Sequence, residues 1–326
     1  MHRAAEPSRW QGRTDAEEGP RALRWHQQVR PLAAAAAPGV ALLGFACDEG
    51  VRRNQGRVGA AEGPAALRRA LAGLAWHGAR PVHDAGDVVV EEEALEEAQA
   101  ELGAHVARLL GDGHLPIVLG GGHEVAYGSF LGLMAHAAGP DPELPAAVAG
   151  AAGRTLPRLG VVNLDAHLDL RAGRASSGTP FRQIAEACAA RGWPFRYLCL
   201  GVDVASNTGA LLDTAARLGA AWRRDLDCTP ARLEEVRGAL AAFLALNDRV
   251  HLTVDLDALP AHVAPGVSAP AARGLALEVV EALVDDVVAS GKLALFEVAE
   301  LNPRLDLDGR TARVAARLVE QVARGG

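Results

Sequence analysis

The sequence predicts an α/β fold in which a mostly parallel sheet is covered by helices on both faces. First, it contains short segments that are apolar throughout, which is typical of parallel strands buried on both sides. Second, amphipathic helical patterns alternate with these segments from about residue 40 to the C-terminus. Third, 49% of the residues are hydrophobic but only 4% are aromatic. Ala, Val and Leu therefore supply the core, which suits helices layered on a sheet.

Six apolar segments are predicted to be strands. In chain order they are Val40–Ala46, Leu115–Leu119, Gly160–Leu164, Arg196–Gly201, Val250–Val254 and Leu293–Val298. Helical patterns lie at Glu92–Leu110, Arg232–Leu246, Leu277–Ala289 and Arg310–Val322. The Ala/Gly/Pro-rich stretch Ala137–Arg158 is expected to be a surface insertion without a functional role. Since no linker, composition shift or repeat divides the chain, we expect one domain of residues 40–326 with an N-terminal extension, residues 1–39, packed on it.

Composition and charge exclude several classes of protein. The net charge is −7 and no segment is densely basic, which argues against nucleic acid and acidic membranes as partners. The apolar stretch Leu32–Cys47 is broken by Pro and Gly and is too short to span a bilayer, and the first thirty residues do not resemble a secretory signal. The four cysteines show no metal-binding or redox spacing, so we expect reduced thiols in a cytoplasmic protein. A homo-oligomer is left open.

Clusters of His and Asp follow three of the six predicted strands. They are Gly120–Glu124 (GGGHE), Asp165–Asp169 (DAHLD) and Asp255–Asp257 (DLD). Loops at the carboxyl ends of parallel strands are where such folds place their sites. In an extended segment residues i, i+2 and i+4 share one face. We therefore expect the alternate residues of DAHLD to point to one side, and the two Asp of DLD likewise.

These clusters predict a metal centre. Several carboxylates packed together repel one another strongly unless cations neutralise them. Four Asp and two His form a hard oxygen and nitrogen ligand set that suits Mn²⁺ better than zinc, and six ligands exceed what one ion needs. The glycine triplet could alternatively cradle a phosphate, but the Lys-Ser/Thr of a P-loop is missing. The candidate ligands are His123, Asp165, His167, Asp169, Asp255 and Asp257.

The motifs GGGHE, NLDAHLDLR and LTVDLDALP resemble, in order and separation, the signature motifs of the arginase/agmatinase/formimidoylglutamase (ureohydrolase) family. The resemblance covers nearly the whole chain from Val40 onward. It implies a three-layer, arginase-like fold with a roughly eight-stranded sheet and two Mn²⁺ ions. By this resemblance one ion is held by His123, Asp165, Asp169 and Asp255. The other is held by Asp165, His167, Asp255 and Asp257, so that Asp165 and Asp255 bridge.

The same resemblance implies hydrolysis at an amidine carbon. Two Mn²⁺ ions lower the pKa of a shared water, which then attacks this carbon. Asp169 is the candidate to carry a proton to the departing nitrogen. The segment Glu300-Leu301-Asn302-Pro303 resembles a family segment whose glutamate pairs with the cationic guanidinium or amidinium, which makes Glu300 the candidate for that role. A solvated glutamate without a role is the alternative.

The loop after Asp169 predicts the charge of the substrate. Between Arg171 and Gln183 it holds three arginines, Arg171, Arg174 and Arg182, and no acid. Arginines bind carboxylates through paired hydrogen bonds and repel a cationic tail. We therefore expect a small anionic amidine, and N-formimidoyl-L-glutamate, which has two carboxylates, fits this pattern; arginines that are merely solvated are the alternative. The resemblance to formimidoylglutamases implies that this substrate is cleaved to L-glutamate and formamide in histidine degradation. Ser177, Asn54 and Arg57 are further candidates for substrate contacts.

Phe181 supports this branch of the family. Arginases and agmatinases carry a proton-shuttling histidine in the stretch that matches Ser177–Gln183, whereas formimidoylglutamases can have SSGTPF there. Three other segments, Trp10–Arg13, Arg24–His26 and Phe45–Arg57, are also similar to formimidoylglutamases. The alternatives are another ureohydrolase (a guanidino-acid hydrolase, an agmatinase or an arginase) or a non-catalytic homologue. Non-catalytic homologues typically lose metal ligands, and all six are present here.

Overall fold

A computed structural model describes residues 1–19, 21–139 and 156–325, so most of the predicted insertion Ala137–Arg158 lies outside the described residues. The strands are β1 His2–Arg3, β2 Arg30–Pro31, β3 Val40–Ala46, β4 Val82–Val89, β5 Leu115–Leu119, β6 Leu159–Leu164, β7 Tyr197–Val202, β8 Ala221–Arg224, β9 Arg249–Asp255 and β10 Leu293–Ala299. The helices are α1 Trp25–Gln28, α2 Glu49–Arg53, α3 Gly63–Ala72, α4 Leu95–Gly111, α5 Val125–Ala138, α6 Pro180–Ala190, α7 Gly209–Leu218, α8 Leu233–Ala245, α9 Leu277–Ala289 and α10 Arg310–Gly325.

The described strands form one sheet in the order β1-β4-β3-β5-β10-β9-β6-β7-β8, and β2 also pairs with β4. The pairing of β1 with β4 is antiparallel, and the other pairings are parallel. The strands β3 to β10 are the eight or so that were expected. The two-residue strands β1 and β2 extend the sheet at its β4 edge.

Helices cover both faces of the sheet, as predicted. The apolar side chains of α4, α5, α6 and α7 pack on one face, and those of α3, α8, α9 and α10 pack on the other. All four cysteines are buried and free. No helix within the described ranges combines the length and the apolar character that a bilayer-spanning segment needs.

Strand β4 was not predicted because it carries two aspartates, Asp84 and Asp87. Both are neutralised inside the protein by Arg68 of α3, which is 1% exposed. Its guanidinium donates to Asp84 Oδ1 at 2.9 Å and to Asp87 Oδ1 at 2.6 Å. The N-terminal segment adds Trp10, whose Nε1 donates to Asp84 Oδ2 at 2.8 Å, and Arg9, whose Nη1 donates to Asp87 Oδ2 at 2.6 Å.

The order of the central strands positions the predicted site. Strands β5, β10, β9 and β6 are consecutive neighbours in the sheet. Each is parallel to the next, so their carboxyl ends meet at one edge. The GGGHE, DLD and DAHLD motifs follow β5, β9 and β6, and Glu300 follows β10. All the sequence motifs that carry candidate chemistry therefore converge on the centre of this edge.

Candidate metal centre

The imidazole of His123 faces three of the predicted carboxylate ligands. Its Nδ1 lies 3.1 Å from Asp165 Oδ2, 3.2 Å from Asp169 Oδ2 and 3.0 Å from Asp255 Oδ2. Ligand atoms of these four residues all lie within 4.8 Å of one another. The structure thus brings together the four residues that were expected to hold one ion.

A second group of ligand atoms adjoins the first. His167 Nδ1 lies 3.1 Å from Asp257 Oδ2 and 3.5 Å from Asp165 Oδ1, and these three residues could together hold a cation. Asp165 belongs to both groups, as a carboxylate shared by two ions must. Asp255 has its Oδ2 in the first group, and its Oδ1 accepts a hydrogen bond from the backbone N–H of Asp257 at 2.8 Å.

The expectation that these residues alternate along extended segments was wrong. Strand β6 ends one residue before Asp165, and Asp169 has a positive φ of 48°. The carboxylate of Asp165 accepts the N–H of His167 at 2.6 Å, and Asp255 accepts that of Asp257 in the same way. Aspartates often bond the amide two residues on and so turn the chain. Turns therefore gather the ligands here.

The donor set fits a metal ion. His123 Nδ1 is buried and has no aligned hydrogen-bond partner among the described residues, although three carboxylate oxygens surround it. Its other ring nitrogen, Nε2, lies 3.0 Å from Thr253 Oγ1, and such a contact orients a metal-ligating histidine. The Oδ1 of Asp257 is likewise buried without a partner in the described part of the chain. A cation would satisfy these atoms.

Without a cation the site must hold protons. Burial, reinforced by the charge of Asp165, raises the pKa of Asp169 to about 6. Burial and the charge of Asp257 raise the pKa of Asp255 well above its ordinary value. Burial alone would lower the pKa of His123, but the carboxylates of Asp165, Asp169 and Asp255 outweigh it and raise this pKa well above the ordinary value. Metal binding must therefore displace protons.

A cavity of about 380 Å³ opens onto this cluster. It is lined by five of the six candidate ligands, all except Asp165, and by Asn54, Arg57, Arg171, Ser177 and Glu300 from the other candidates. Its wall also includes Ser206, Asn207 and Ser268. These three residues were not predicted, because no His or Asp cluster follows β7 and because Ser268 lies far beyond the DLD motif. A larger cavity of about 780 Å³ at the amino ends of the strands contains none of these residues.

Glu300 is buried at the edge of the cavity, only 5% exposed, and is not a solvated acid. It directly follows β10 and has a positive φ of 68°. Its backbone N–H donates to Gly121 O at 2.8 Å, and its Oε1 accepts the backbone N–H of His123 at 2.9 Å. Burial and the nearby charge of Glu124 raise its pKa to about 8. Glu300 thus links the end of β10 to the metal-site loop after β5.

Among the arginines of the cationic loop, Arg171 faces the cavity that contains the clustered ligands. It forms no ion pair with any residue in the described ranges. Arg174 lines an adjoining depression, with Nη2 3.8 Å from Glu93 Oε2. Asn54 Nδ2 donates to Ser177 Oγ at 3.2 Å, which ties together two further candidates on the cavity wall.

The other two candidate arginines are engaged elsewhere. Arg182 Nε donates to Glu186 on the same helix at 2.7 Å, and Arg182 does not line the cavity. The guanidinium of Arg57 donates to the carbonyl oxygens of Ser268 at 2.9 Å and Val267 at 2.8 Å. Arg57 therefore closes one side of the cavity by joining two loops.

Phe181 lies behind the metal ligands and not in the cavity. Its ring is fully buried, meets the ring of His123 edge-on with 5.3 Å between centroids, and stacks on Tyr197 at 4.5 Å. By the resemblance described above, Phe181 stands where arginases and agmatinases carry a proton-shuttling histidine. In this chain its ring instead packs against the imidazole of His123.

Comparisons with known proteins show similarity along nearly the whole chain. The profile of the Arginase family matches residues 38–324. A formimidoylglutamase from Ralstonia nicotianae is 56% identical over 329 residues, which cover 100% of this chain and 97% of that protein. One from Aeromonas hydrophila is 55% identical and covers 96% of each chain. The crystal structure of Trypanosoma cruzi formiminoglutamase with Mn²⁺₂ superposes with a TM-score of 0.73 at 27% identity, over 88% of this chain and 93% of that one.

Proposed function

This chain belongs to the arginase family of hydrolases, and from that premise we propose that it hydrolyses N-formimidoyl-L-glutamate to L-glutamate and formamide with two Mn²⁺ ions. The observation that carries the proposal is that Arg171, which forms no ion pair within the described part of the chain, lies in the same cavity as the His and Asp cluster. A carboxylate at one end of a small substrate and an amidine at the other match these two features. The names of the similar curated proteins support the same substrate.

The six clustered side chains would hold the metal ions. His123, Asp169 and Asp255 lie on one side of the shared Asp165, and His167 and Asp257 lie on the other; Asp255 is proposed to bridge as well. Two Mn²⁺ ions, when bound, would supply a hydroxide nucleophile at neutral pH and stabilise negative charge on the attacking oxygen.

The residues of the chain would then orient the substrate and move protons. Arg171 binds a carboxylate of the substrate, and Glu300 binds the amidinium, whose positive charge favours the ionised form of this buried carboxyl. A water oxygen bonds to the amidine carbon, and the bond from that carbon to the glutamate nitrogen breaks as the carbon–oxygen double bond of formamide forms. A proton given up by the water passes to the departing nitrogen. Asp169, which lies at the cavity wall, is the group proposed to deliver the proton.

The remaining candidates would complete the pocket. Asn54, Ser177 and Arg57 line the same cavity, where they can shape the end that receives the carboxylates. Arg174, in the adjoining depression, would add positive charge near the opening and guide an anionic substrate toward it. Arg182, whose charge is paired with Glu186, is not assigned a contact with the substrate.

The cellular setting is also a proposal. Four free, buried cysteines are consistent with a reducing compartment, and we place the enzyme in the cytoplasm, in histidine degradation. Neither nucleic acid nor a membrane is expected as a partner, and assembly into a homo-oligomer is left open.

A panel of substrates tests the proposal. Protein loaded with Mn²⁺ is incubated with N-formimidoyl-L-glutamate, 4-guanidinobutyrate, agmatine and arginine, and formamide and urea are quantified. We expect formamide from the first compound and little urea from the others. Faster release of urea from 4-guanidinobutyrate would make the chain a guanidino-acid hydrolase, which Arg171 would also suit. Faster release from agmatine would contradict an anionic substrate altogether.

A further inference from the structure

The side-chain amide of Asn207 bonds to the loop that carries three of the candidate metal ligands. Its Oδ1 accepts the backbone N–H of Leu168 at 3.0 Å. Its Nδ2 donates to the carbonyl of Ala166 at 2.9 Å and to that of Asp203 at 2.8 Å. Asn207 is 5% exposed and precedes α7, so that one amide joins the loop after β6 to the loop after β7.

These contacts reach the two residues that separate the ligands. Ala166 stands between Asp165 and His167, and Leu168 stands between His167 and Asp169. Both are buried, and a buried backbone N–H or C=O that loses its partner is costly. Among the described residues the N–H of Leu168 has no partner other than Asn207. Asp169 also holds a positive φ, which costs a non-glycine residue free energy.

Further bonds make the loop rigid around the same point. The carbonyl of Ala166 also accepts the backbone N–H of Asp203 at 3.0 Å, and the carbonyl of Leu168 accepts the hydroxyl of Tyr197 at 3.1 Å. Of the side chains that the structure describes, the amide of Asn207 alone bonds to both an N–H and a C=O of the loop. Asparagine supplies one acceptor and two donor hydrogens at this length; aspartate lacks the donors, and glutamine is one methylene longer.

We propose that Asn207 is a positioning residue for the metal centre, which fixes the spacing of Asp165, His167 and Asp169 by clamping Ala166 and Leu168. This inference rests on the proposed two-metal function, and it assigns a role to a residue outside the ligand set. Replacing a group that orients metal ligands typically weakens metal binding about 10- to 100-fold.

A matched control separates positioning from general stability. Asn247 is also a buried asparagine, fully so, and its Nδ2 donates to Phe243 O at 2.8 Å. It precedes β9 at the end of the strand opposite Asp255, away from the metal loop. The variants are therefore Asn207→Leu, which keeps the volume, and Asn207→Ala, which does not, each beside the same change at Asn247.

The primary measurement is the affinity for Mn²⁺, by competition with a chromophoric chelator, in protein shown by circular dichroism to be folded. Both Asn207 variants should bind Mn²⁺ about 10- to 100-fold more weakly than the wild type, whereas the Asn247 variants bind it normally. At saturating Mn²⁺ the KM of the Asn207 variants should stay near the wild-type value.

Several outcomes would overturn the proposal. Equal losses of affinity at Asn207 and Asn247 would mean that only stability is at work. Unchanged Mn²⁺ affinity with a raised KM would make Asn207 a substrate contact. Wild-type protein that binds no Mn²⁺ would overturn both the role of Asn207 and the two-metal function. Wild-type protein that binds Mn²⁺ but cleaves another amidine would overturn the substrate assignment alone.

Discussion

At the scale of single residues, Arg171 and Arg182 make an instructive contrast within one cationic loop. Arg171 faces the cavity with no carboxylate partner among the described residues, whereas Arg182 is bonded to Glu186. Side chains of the same type, eleven positions apart, therefore differ in whether their charge is available to a ligand. That difference depends on where the loop ends and α6 begins, which the charge pattern of the sequence does not specify.

Replacing Arg171 by Gln removes a charge-assisted contact with a substrate carboxylate, worth roughly 1.5–3 kcal/mol. We expect kcat/KM on N-formimidoyl-L-glutamate to fall about 10- to 150-fold, with little change on an uncharged amidine. Steady-state kinetics on both compounds measure this difference. Arg182→Gln is the control and should change neither value more than about twofold, since Arg182 is outside the cavity. Equal losses on the charged and uncharged substrates would mean that Arg171 only shapes the loop.

The candidate ligands illustrate what could be predicted at this scale. All six come together, because strands that are parallel neighbours must bring their carboxyl ends to one edge. The turns that gather them depend on particular hydrogen bonds, such as that from the N–H of His167 to Asp165, and a strand-periodicity argument does not contain these bonds. Asn207 went unnoticed for a related reason: a single asparagine after a strand is a common turn residue.

At the scale of elements, the glycine-rich turn between β5 and α5 shows why the metal site requires close backbone packing. A Cβ added to Gly121 would lie 1.8 Å from Cys47 O, and Gly121 O itself accepts the N–H of Glu300. The turn therefore lies directly against the chain after β3 and β10. The glycine triplet, which also resembled a phosphate-binding loop, is explained by this packing.

The variant Gly121→Ala should force the backbones apart. Overpacking of this kind should cost about 1–3 kcal/mol of stability. It should also displace His123 and weaken Mn²⁺ binding. Urea unfolding and the chelator competition measure the two effects. The control is Gly111→Ala at the end of α4, where a Cβ would meet nothing within 4 Å; we expect no loss of stability there. A variant at Gly121 as stable as the wild type would contradict this account of the turn.

A buried contact between a carboxyl group and an imidazole joins the two central strands below the site. Glu297 Oε1 on β10 lies 3.1 Å from His251 Nε2 on β9, and both residues are fully buried. Burial alone would raise the pKa of Glu297, but the interaction with His251 outweighs it and lowers that pKa. Because the folded-state pKa of Glu297 lies below that of the unfolded chain, its ionised carboxylate stabilises the fold above the ordinary carboxyl pKa. This contribution is lost as the pH falls through the folded-state value.

Glu297→Gln should therefore destabilise the protein by about 1–3 kcal/mol at pH 7, because it removes a buried carboxylate from its contact with His251. The difference from the wild type should shrink as the pH is lowered toward and below about 4.3. Urea unfolding of both proteins as a function of pH measures this. The exposed pair of Glu62 with Arg304 supplies the control, since Glu62→Gln should cost only about 0–1 kcal/mol. A loss of stability in Glu297→Gln that does not vary with pH would show that Glu297 is not ionised in the folded protein.

At the scale of the whole molecule, the fold was predicted correctly for the strands whose residues are apolar throughout because both of their faces are buried. The six apolar strands were located to within a residue or so, and the helices between them cover both faces as expected. Strand β4 was missed because its aspartates are matched by Arg68, which lies outside the strand. Strand β8 was missed because it is a partly exposed edge strand (AWRR). Neither depends on an apolar run, so local sequence could not reveal them.

The last prediction concerns how the metal site stabilises the whole fold. Four aspartates and Glu300 are packed together at the carboxyl edge of the sheet, and a cation that binds among them binds the folded state alone. Such a ligand should stabilise the fold by about 2.7 kcal/mol at a concentration one hundred times its Kd. We expect Mn²⁺ to raise the unfolding temperature of EDTA-treated protein. The rise should be smaller at pH 5.5 than at pH 7.5, because His123, whose pKa is raised, and the other protonated ligands must release their protons before the metal binds. Differential scanning calorimetry at both pH values measures the shift.

In Asp165→Asn, which removes the carboxylate common to both groups of ligands, most of the shift should disappear. A full Mn²⁺-dependent rise in that variant would mean that the metal stabilises the protein from another site.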